Sequence, residues 1–254
     1  MKNLTRPFNS VIYTMINTHR FPITLAFICT TLFTTLNANA LTPFEASYKI
    51  EAFGLTIGRA DHSLTCKNQQ CDLTSHATPT GLARRLIGEE GHERVQLALK
   101  DNVLYWLSYE NKTIKIRSQD VVDQVFVSLN PDTLTIENLE RNQSWAYDTN
   151  TFDPLSMAYA LQHRLLNNQP IDTMTLQEEK RQRLLTFNDF GEVLLSSAFK
   201  SRLKTNHYVA DTPEYKVSIW LATDLNLFPA QVEIYDKKRR RGMTLSLLKR
   251  PTFH

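Results

Sequence analysis

The densest set of ligating and acid–base side chains in the sequence is Glu89, Glu90, His92 and Glu93, in the run Gly-Glu-Glu-Gly-His-Glu. Carboxylates and imidazoles are hard and borderline metal ligands, but no further His or Cys follows at metal spacing. The run therefore reads as a solvated turn between a short helix and a strand, and no metal is expected. His62 and His76 are placed to face each other across a hairpin, where histidines on a wet face are commoner than ligands. Cys66 and Cys71 stand in Cys-Lys-Asn-Gln-Gln-Cys, with four residues between them. Redox pairs usually enclose two residues, and a four-thiolate metal site needs a second pair. A disulfide stapling the hairpin is expected instead. The chain contains no Gly-x-Ser-x-Gly elbow, no His-Glu-x-x-His pair and no phosphate-cradling glycine loop. A non-enzymatic protein without a cofactor is expected; a deep polar pocket uniting His62, His76 or Glu93 would argue for an enzyme.

Two further sets have binding chemistry. Lys237, Lys238, Arg239, Arg240 and Arg241 form one strong basic run, closed by Gly242. It is neither interleaved with aromatics nor spread over a face, as a nucleic-acid surface would be. It reads as a hairpin tip. Its functional expectation is contact with anionic lipid headgroups or an acidic envelope partner, at about 1 kcal/mol per basic residue near a membrane. Trp106, Trp145 and Trp220 read first as core or interface packing; Tyr105, Trp106 and Trp220 are the candidates to line an apolar cavity, since sheets that curl into barrels often enclose one.

The compartment bears on all of these. Residues 1–40 contain no Asp or Glu, and their basic residues are Lys2, Arg6 and Arg20. An apolar stretch, Phe21 to Leu36, then leads to Ala38-Asn39-Ala40. This is the pattern of a cleaved signal peptide, with cleavage after Ala40 and a periplasmic destination. The stretch is shorter than the ~20 residues of a membrane span. Cys29 lies within it, away from the cleavage site, and so is not read as a lipid-anchor cysteine. Of the 29 Lys and Arg, three fall in this segment, together with none of the 26 Asp and Glu. The remaining chain, 41–254, is formally neutral, which removes the charge argument for a nucleic-acid partner.

The dominant period in 41–254 is two. Phe44, Ala46, Tyr48, Ile50 and Ala52 alternate with Glu45, Ser47, Lys49 and Glu51. A shift at Gly58-Arg59 puts Ala60, His62, Leu64 and Cys66 on one face, and a glycine there suggests a bulge. Similar runs cover Val95–Leu99, Val103–Tyr109, Val125–Leu129, Val193–Phe199 and Tyr215–Leu221, with turns at Lys100-Asp101-Asn102 and Asn130-Pro131-Asp132, and Val232 and Ile234 pair with Met243, Leu245 and Leu247 across the basic turn 236–242. Two stretches break the rhythm. Residues 81–88 look like a short helix flanked by glycines. Residues 153–167 carry Asp153 as N-cap, Pro154 at the first position and an apolar face of Leu155, Ala158, Leu161 and Leu165. The expected fold is mainly β: one domain, a strongly curved antiparallel sheet or open β-barrel with one or two short packed helices.

Four segments, in order, resemble the bacterial envelope family labelled domain of unknown function 3108. They are 43–60, 77–94, 153–161 and 220–234. Thr223 stands where that family usually has proline. The resemblance implies an envelope protein similar in outline to periplasmic lipid and lipoprotein carriers, and it transfers no catalytic residue. The functional expectation is binding of an apolar or amphipathic, lipid-like ligand in a curved-sheet cavity, with a role in envelope maintenance. The alternative is a structural or interaction protein acting through a sheet edge or the 237–241 turn.

Overall fold

The structure is a computed structural model and describes residues 41–254. The segment read as a signal peptide, with Cys29 and the expected cleavage position Ala40, lies outside the described residues.

The described chain forms sixteen strands and two α-helices in the following order. Strands β1 (Phe44–Ala52), β2 (Leu55–Lys67) and β3 (Gln70–Pro79) precede helix α1 (Gly81–Ile87). Strands β4 (Glu89–Lys100), β5 (Val103–Lys115), β6 (Val121–Asn130), β7 (Thr135–Asn138), β8 (Gln143–Ala146) and β9 (Thr151–Phe152) precede helix α2 (Met157–Leu166). Then come β10 (Thr173–Gln177), β11 (Gln182–Leu195), β12 (Leu203–Asp211), β13 (Tyr215–Ala222), β14 (Phe228–Asp236), β15 (Arg241–Leu247) and β16 (Thr252–Phe253). Hydrogen bonding links them in one sheet. Its path runs from β8 down to β1, across to β15, and down again to β9, with β16 beside β1. Every pairing is antiparallel except β9 with β10.

A twisted sheet this wide curls on itself. Here the curl brings the two ends of the path together through side chains. Asn138 Nδ2 donates to the Glu179 carbonyl at 3.1 Å, and Gln182 Nε2 donates to the Ala146 carbonyl at 3.0 Å. Arg141 pairs with Glu179 in the same seam. The result is an open barrel whose two ends are joined by these side-chain contacts.

Local chemistry explains several elements. Asn68 and Gln69 both have positive φ (50° and 66°), as do Asp101 and Asn102 (51° and 61°). Two such residues in succession make the tight turn whose twist suits a hairpin. The first of these turns sets Cys66 opposite Cys71, and the two are joined in a disulfide. At Gly58 the β1–β2 register slips, and a Cβ would meet the Thr78 carbonyl at 2.8 Å, so the position requires glycine.

The inward face is built in rows of directly paired residues. Phe44, Leu64, Leu73, Val95, Tyr109 and Val127 form one row across β1 to β6, all buried. The next row is Ala46, His62, Ser75, Glu93 and Asn111, and the one after is Tyr48, Ala60, Ala77, Gly91 and Thr113. Helix α2 lies against this interior with Met157 through His163 buried. Its far end is fastened to turns: Gln162 Nε2 donates to the Asn226 carbonyl at 2.8 Å, and His163 Nε2 lies 2.9 Å from the Asn102 carbonyl.

The structure departs from the sequence reading at some boundaries. Helix α2 begins at Met157, not at Pro154, because Asp153 first organises a turn: its Oδ1 accepts the Leu155 and Ser156 N–H groups at 2.8 and 3.0 Å. Ser197 and Phe199 lie beyond the end of β11, where the Ser197 and Lys200 backbones close a turn. Glu89 to Glu93 are not a turn but the first residues of β4.

Candidate functional site

The row of small residues creates the site. Ala60 and Ala77 occupy paired inward positions, where the row two along the strands carries Leu64, Leu73 and Val95, and so they leave the barrel interior unfilled at that level. The result is a cavity of about 270 Å³. Its apolar wall includes Ile50, Leu155, Val232, Ile234, Met243 and Leu245, and Ala158 of α2 forms part of its roof. A smaller space of about 80 Å³ shares Pro154, Ala158, Val232 and Ile234 with it and continues toward Leu185 and Ile219. Interiors normally pack without voids much larger than a water, so an apolar space of this size is itself an observation that needs an occupant or a cost.

One end of the cavity is polar and internally ordered. The Tyr48 hydroxyl donates to the Pro229 carbonyl at 2.9 Å. Having spent its one proton there, it accepts from the Tyr159 hydroxyl at 3.2 Å. The Tyr159 oxygen is then left to accept from His62 Nδ1 at 2.9 Å. The chain fixes the His62 tautomer with the proton on Nδ1 and leaves Nε2 as an acceptor. Burial pushes the His62 pKa down to about 4, partly opposed by the Asp61 charge, so the ring is neutral near pH 7. Burial likewise raises the Tyr48 and Tyr159 hydroxyls well above the usual tyrosine range.

A second buried polar set stands beside it. Glu93 lines the cavity and accepts the Tyr109 hydroxyl at 2.7 Å, while burial lifts its carboxyl above the usual range. Asp153 is fully buried. Its Oδ2 accepts Trp106 Nε1 at 2.9 Å and the Ser156 hydroxyl, and burial raises its pKa against these donors.

Comparison with solved structures finds a beta-barrel-like protein of domain of unknown function DUF1849 from Brucella abortus. The match has a TM-score of 0.55 at 12% identity and covers 84% of this chain and 98% of that one. The two folds are similar. No family model and no curated protein matches the chain, so the comparisons carry the β-barrel-like fold and not the resemblance to domain of unknown function 3108.

The aromatic residues singled out in the sequence stand elsewhere than the cavity. Trp106 is fully buried and serves as a pillar bonded to Asp153. Tyr105, its neighbour in β5, is half-buried and points the other way by strand alternation. Trp220 stacks on His207 at 4.3 Å, on the face of β13 opposite inward Ile219 and Leu221. Large aromatics fill a barrel, and the space opens where side chains are small. His62 and His76 do not face each other. The register sets His62 against Ser75 and His76 against Asp61, so the two rings lie on opposite faces. The basic turn is partly neutralised by its neighbours: Lys237 pairs with Asp211 and Arg239 Nε lies 3.9 Å from Asp236, while Arg241 lies over the Phe53 ring at 5.7 Å. Lys238 and Arg240 are exposed and make no ion pair among the described residues.

Tyr48, Ala60, Ala77 and Tyr159 were not singled out in the sequence. Period two already placed Tyr48 and Ala60 on inward faces. Only the cross-strand register shows that small residues coincide and that the two tyrosines meet His62.

Proposed function

We propose that this chain is an exported, non-enzymatic protein of the cell envelope that holds a lipid-like molecule in the barrel interior: an apolar chain with a compact, uncharged or weakly charged polar end. The observation that carries this reading is the apolar cavity of about 270 Å³ lined by Ala60 and Ala77 beside the pre-ordered His62–Tyr159–Tyr48 network. An apolar chain gains roughly 0.8 kcal/mol per buried methylene, and neutral His62, Ser75 and Glu93 offer hydrogen bonds to its polar end. Export rests on the pattern of residues 1–40, and the four-segment resemblance to domain of unknown function 3108 agrees with that compartment.

Catalysis is the weaker reading although His62, Ser75 and Glu93 share one row. A relay needs the imidazole between hydroxyl and carboxylate. Here Ser75 stands between the other two, and His62 Nδ1 is committed to Tyr159. A ring with a pKa of about 4 is also a poor general base near neutrality.

The rim at one end of the barrel supports a membrane surface as the partner. Helix α1 buries none of its residues, although Leu82 and Leu86 are 69% and 77% exposed. Phe53 and Leu55, at the β1–β2 turn, are also exposed, and Arg241 joins this turn to the basic hairpin. Arg84 and Arg85 lie on the same helix. Exposed apolar groups interleaved with basic ones suit an anionic bilayer surface. Among the described residues no helix is long and apolar enough to cross a membrane, so the contact proposed is peripheral.

Displacement of a cavity-bound hydrophobic fluorophore by fatty acids of increasing length tests the ligand. Saturable binding of one fluorophore per chain, with displacement strengthening as the acyl chain lengthens, is expected. No saturable binding, or displacement indifferent to chain length, overturns it.

A further inference from the structure

We infer that His76, Glu90 and His92 form a binding site for a divalent transition metal of the zinc class on the outer face of β3 and β4. It is independent of the cavity reading. The sequence run around Glu90 and His92 lacks a second histidine at metal spacing. The sheet supplies one from the neighbouring strand, because the register sets His76 directly opposite His92. Glu90 precedes His92 by two residues on β4 and so shares its face.

The geometry is convergent. The two imidazoles stack at 4.3 Å between centroids and 18° between planes, and both turn Nε2 toward the same carboxylate. His76 Nε2 lies 3.4 Å from one Glu90 oxygen, and His92 Nε2 lies 3.3 Å from the other. The three donor atoms all fall within 4.8 Å of one another. Direct hydrogen bonds between nitrogen and oxygen are usually about 2.7–3.2 Å. Four ligands held tetrahedrally at about 2.0–2.1 Å from zinc are separated by roughly 3.4 Å. The two separations, to different oxygens of Glu90, lie near that edge, and the His92 contact is at the same time a long hydrogen bond. His76 Nε2 is moreover shielded from solvent without a hydrogen-bond partner. Two imidazole nitrogens and one carboxylate, collected on rigid strands with one nitrogen unsatisfied, are a donor set that zinc and copper(II) accept.

His76 and His92 also border a surface cleft of about 400 Å³, together with Thr74, Arg94, Glu110 and Lys112. The site therefore takes three protein ligands and leaves room for water or an anionic group. It also bridges β3 and β4 beside Ala77 and Gly91, so an ion there ties together two strands of the cavity wall.

The test is titration of the EDTA-treated, purified protein with Zn²⁺, followed calorimetrically and by competition with a chromogenic chelator. One Zn²⁺ per chain with roughly micromolar affinity is expected. His76→Ala, His92→Ala and Glu90→Gln should each weaken it at least tenfold, while His207→Ala leaves it unchanged. Zn²⁺ should also raise the melting temperature of the wild type and not of the His76→Ala/His92→Ala double variant, whose fold is checked by circular dichroism. Absence of stoichiometric binding, or binding that survives both alanine substitutions, overturns the assignment.

Discussion

Replacing His62 by Asn should make the protein markedly less sensitive to acid. Asn retains an N–H that can donate to the Tyr159 oxygen, as His62 Nδ1 does, but cannot titrate. In the wild type the folded state holds His62 at about 4, against 6.5 for an unperturbed histidine. The unfolded chain therefore takes up the proton first as pH falls. The stability that neutral His62 contributes is fully present above 6.5 and is lost progressively from there toward 4. Between pH 7 and 4.5 the loss from this one group is roughly 2–3 kcal/mol, or on the order of 5–10 °C in melting temperature for a chain of this size. Glu93 and Asp153 act in the opposite sense, because burial holds their folded-state values above the usual carboxylate range and acidification favours the folded form. The comparison of wild type with His62→Asn cancels these and the other buried histidine, His163. Urea unfolding at several pH values between 7 and 4.5 measures the difference. Parallel stability curves for the two proteins would refute the neutral, buried assignment of His62.

Three other perturbations have definite expected outcomes. Asp153→Ala removes the acceptor for Trp106 Nε1, the Ser156 hydroxyl and two backbone N–H groups; it should cost about 3 kcal/mol or more by urea unfolding, and Asp153→Asn should cost less. Cys66→Ser should cost about 2 kcal/mol, the value for so short a loop, and a reductant should lower wild-type stability by a similar amount. In co-sedimentation with vesicles, the protein should bind anionic more than neutral bilayers, and Leu82→Ser/Leu86→Ser and Lys238→Ser/Arg240→Ser should each reduce that binding; equal binding to both vesicle types removes the membrane reading of the rim.

The architecture was legible because its signal is local. Alternation in Phe44–Ala52, the Asp101-Asn102 turn and the Cys66–Cys71 spacing each depend on a few adjacent residues, and each appears in the fold as expected. The site was not legible for the opposite reason. Ala60 and Ala77 are ordinary singly and open a void only when pairing aligns them across two strands. Alternation put His62 on the apolar face with Ala60 and Leu64, but whether His76 stands opposite it depends on the β2–β3 register, which sets His76 against Asp61 instead. Of the two readings open for the tryptophans, core packing describes Trp106, which is fully buried, whereas Trp220 stacks on His207 on the other face of the sheet. The same dependence on register explains why Glu90 and His92 lacked a visible partner until β3 was laid beside β4.

The central claim is that the space beneath α2 holds a lipid-like molecule, and native mass spectrometry of the protein purified from cells, paired with organic extraction, tests it most directly. Wild type is predicted to carry one amphiphile per chain, recovered in the extract. Ala77→Leu, which fills part of the cavity wall, is predicted to fold with little loss of stability and to emerge empty. An empty wild type that also takes up no lipid on incubation, or an Ala77→Leu variant that carries the same load, would contradict the account.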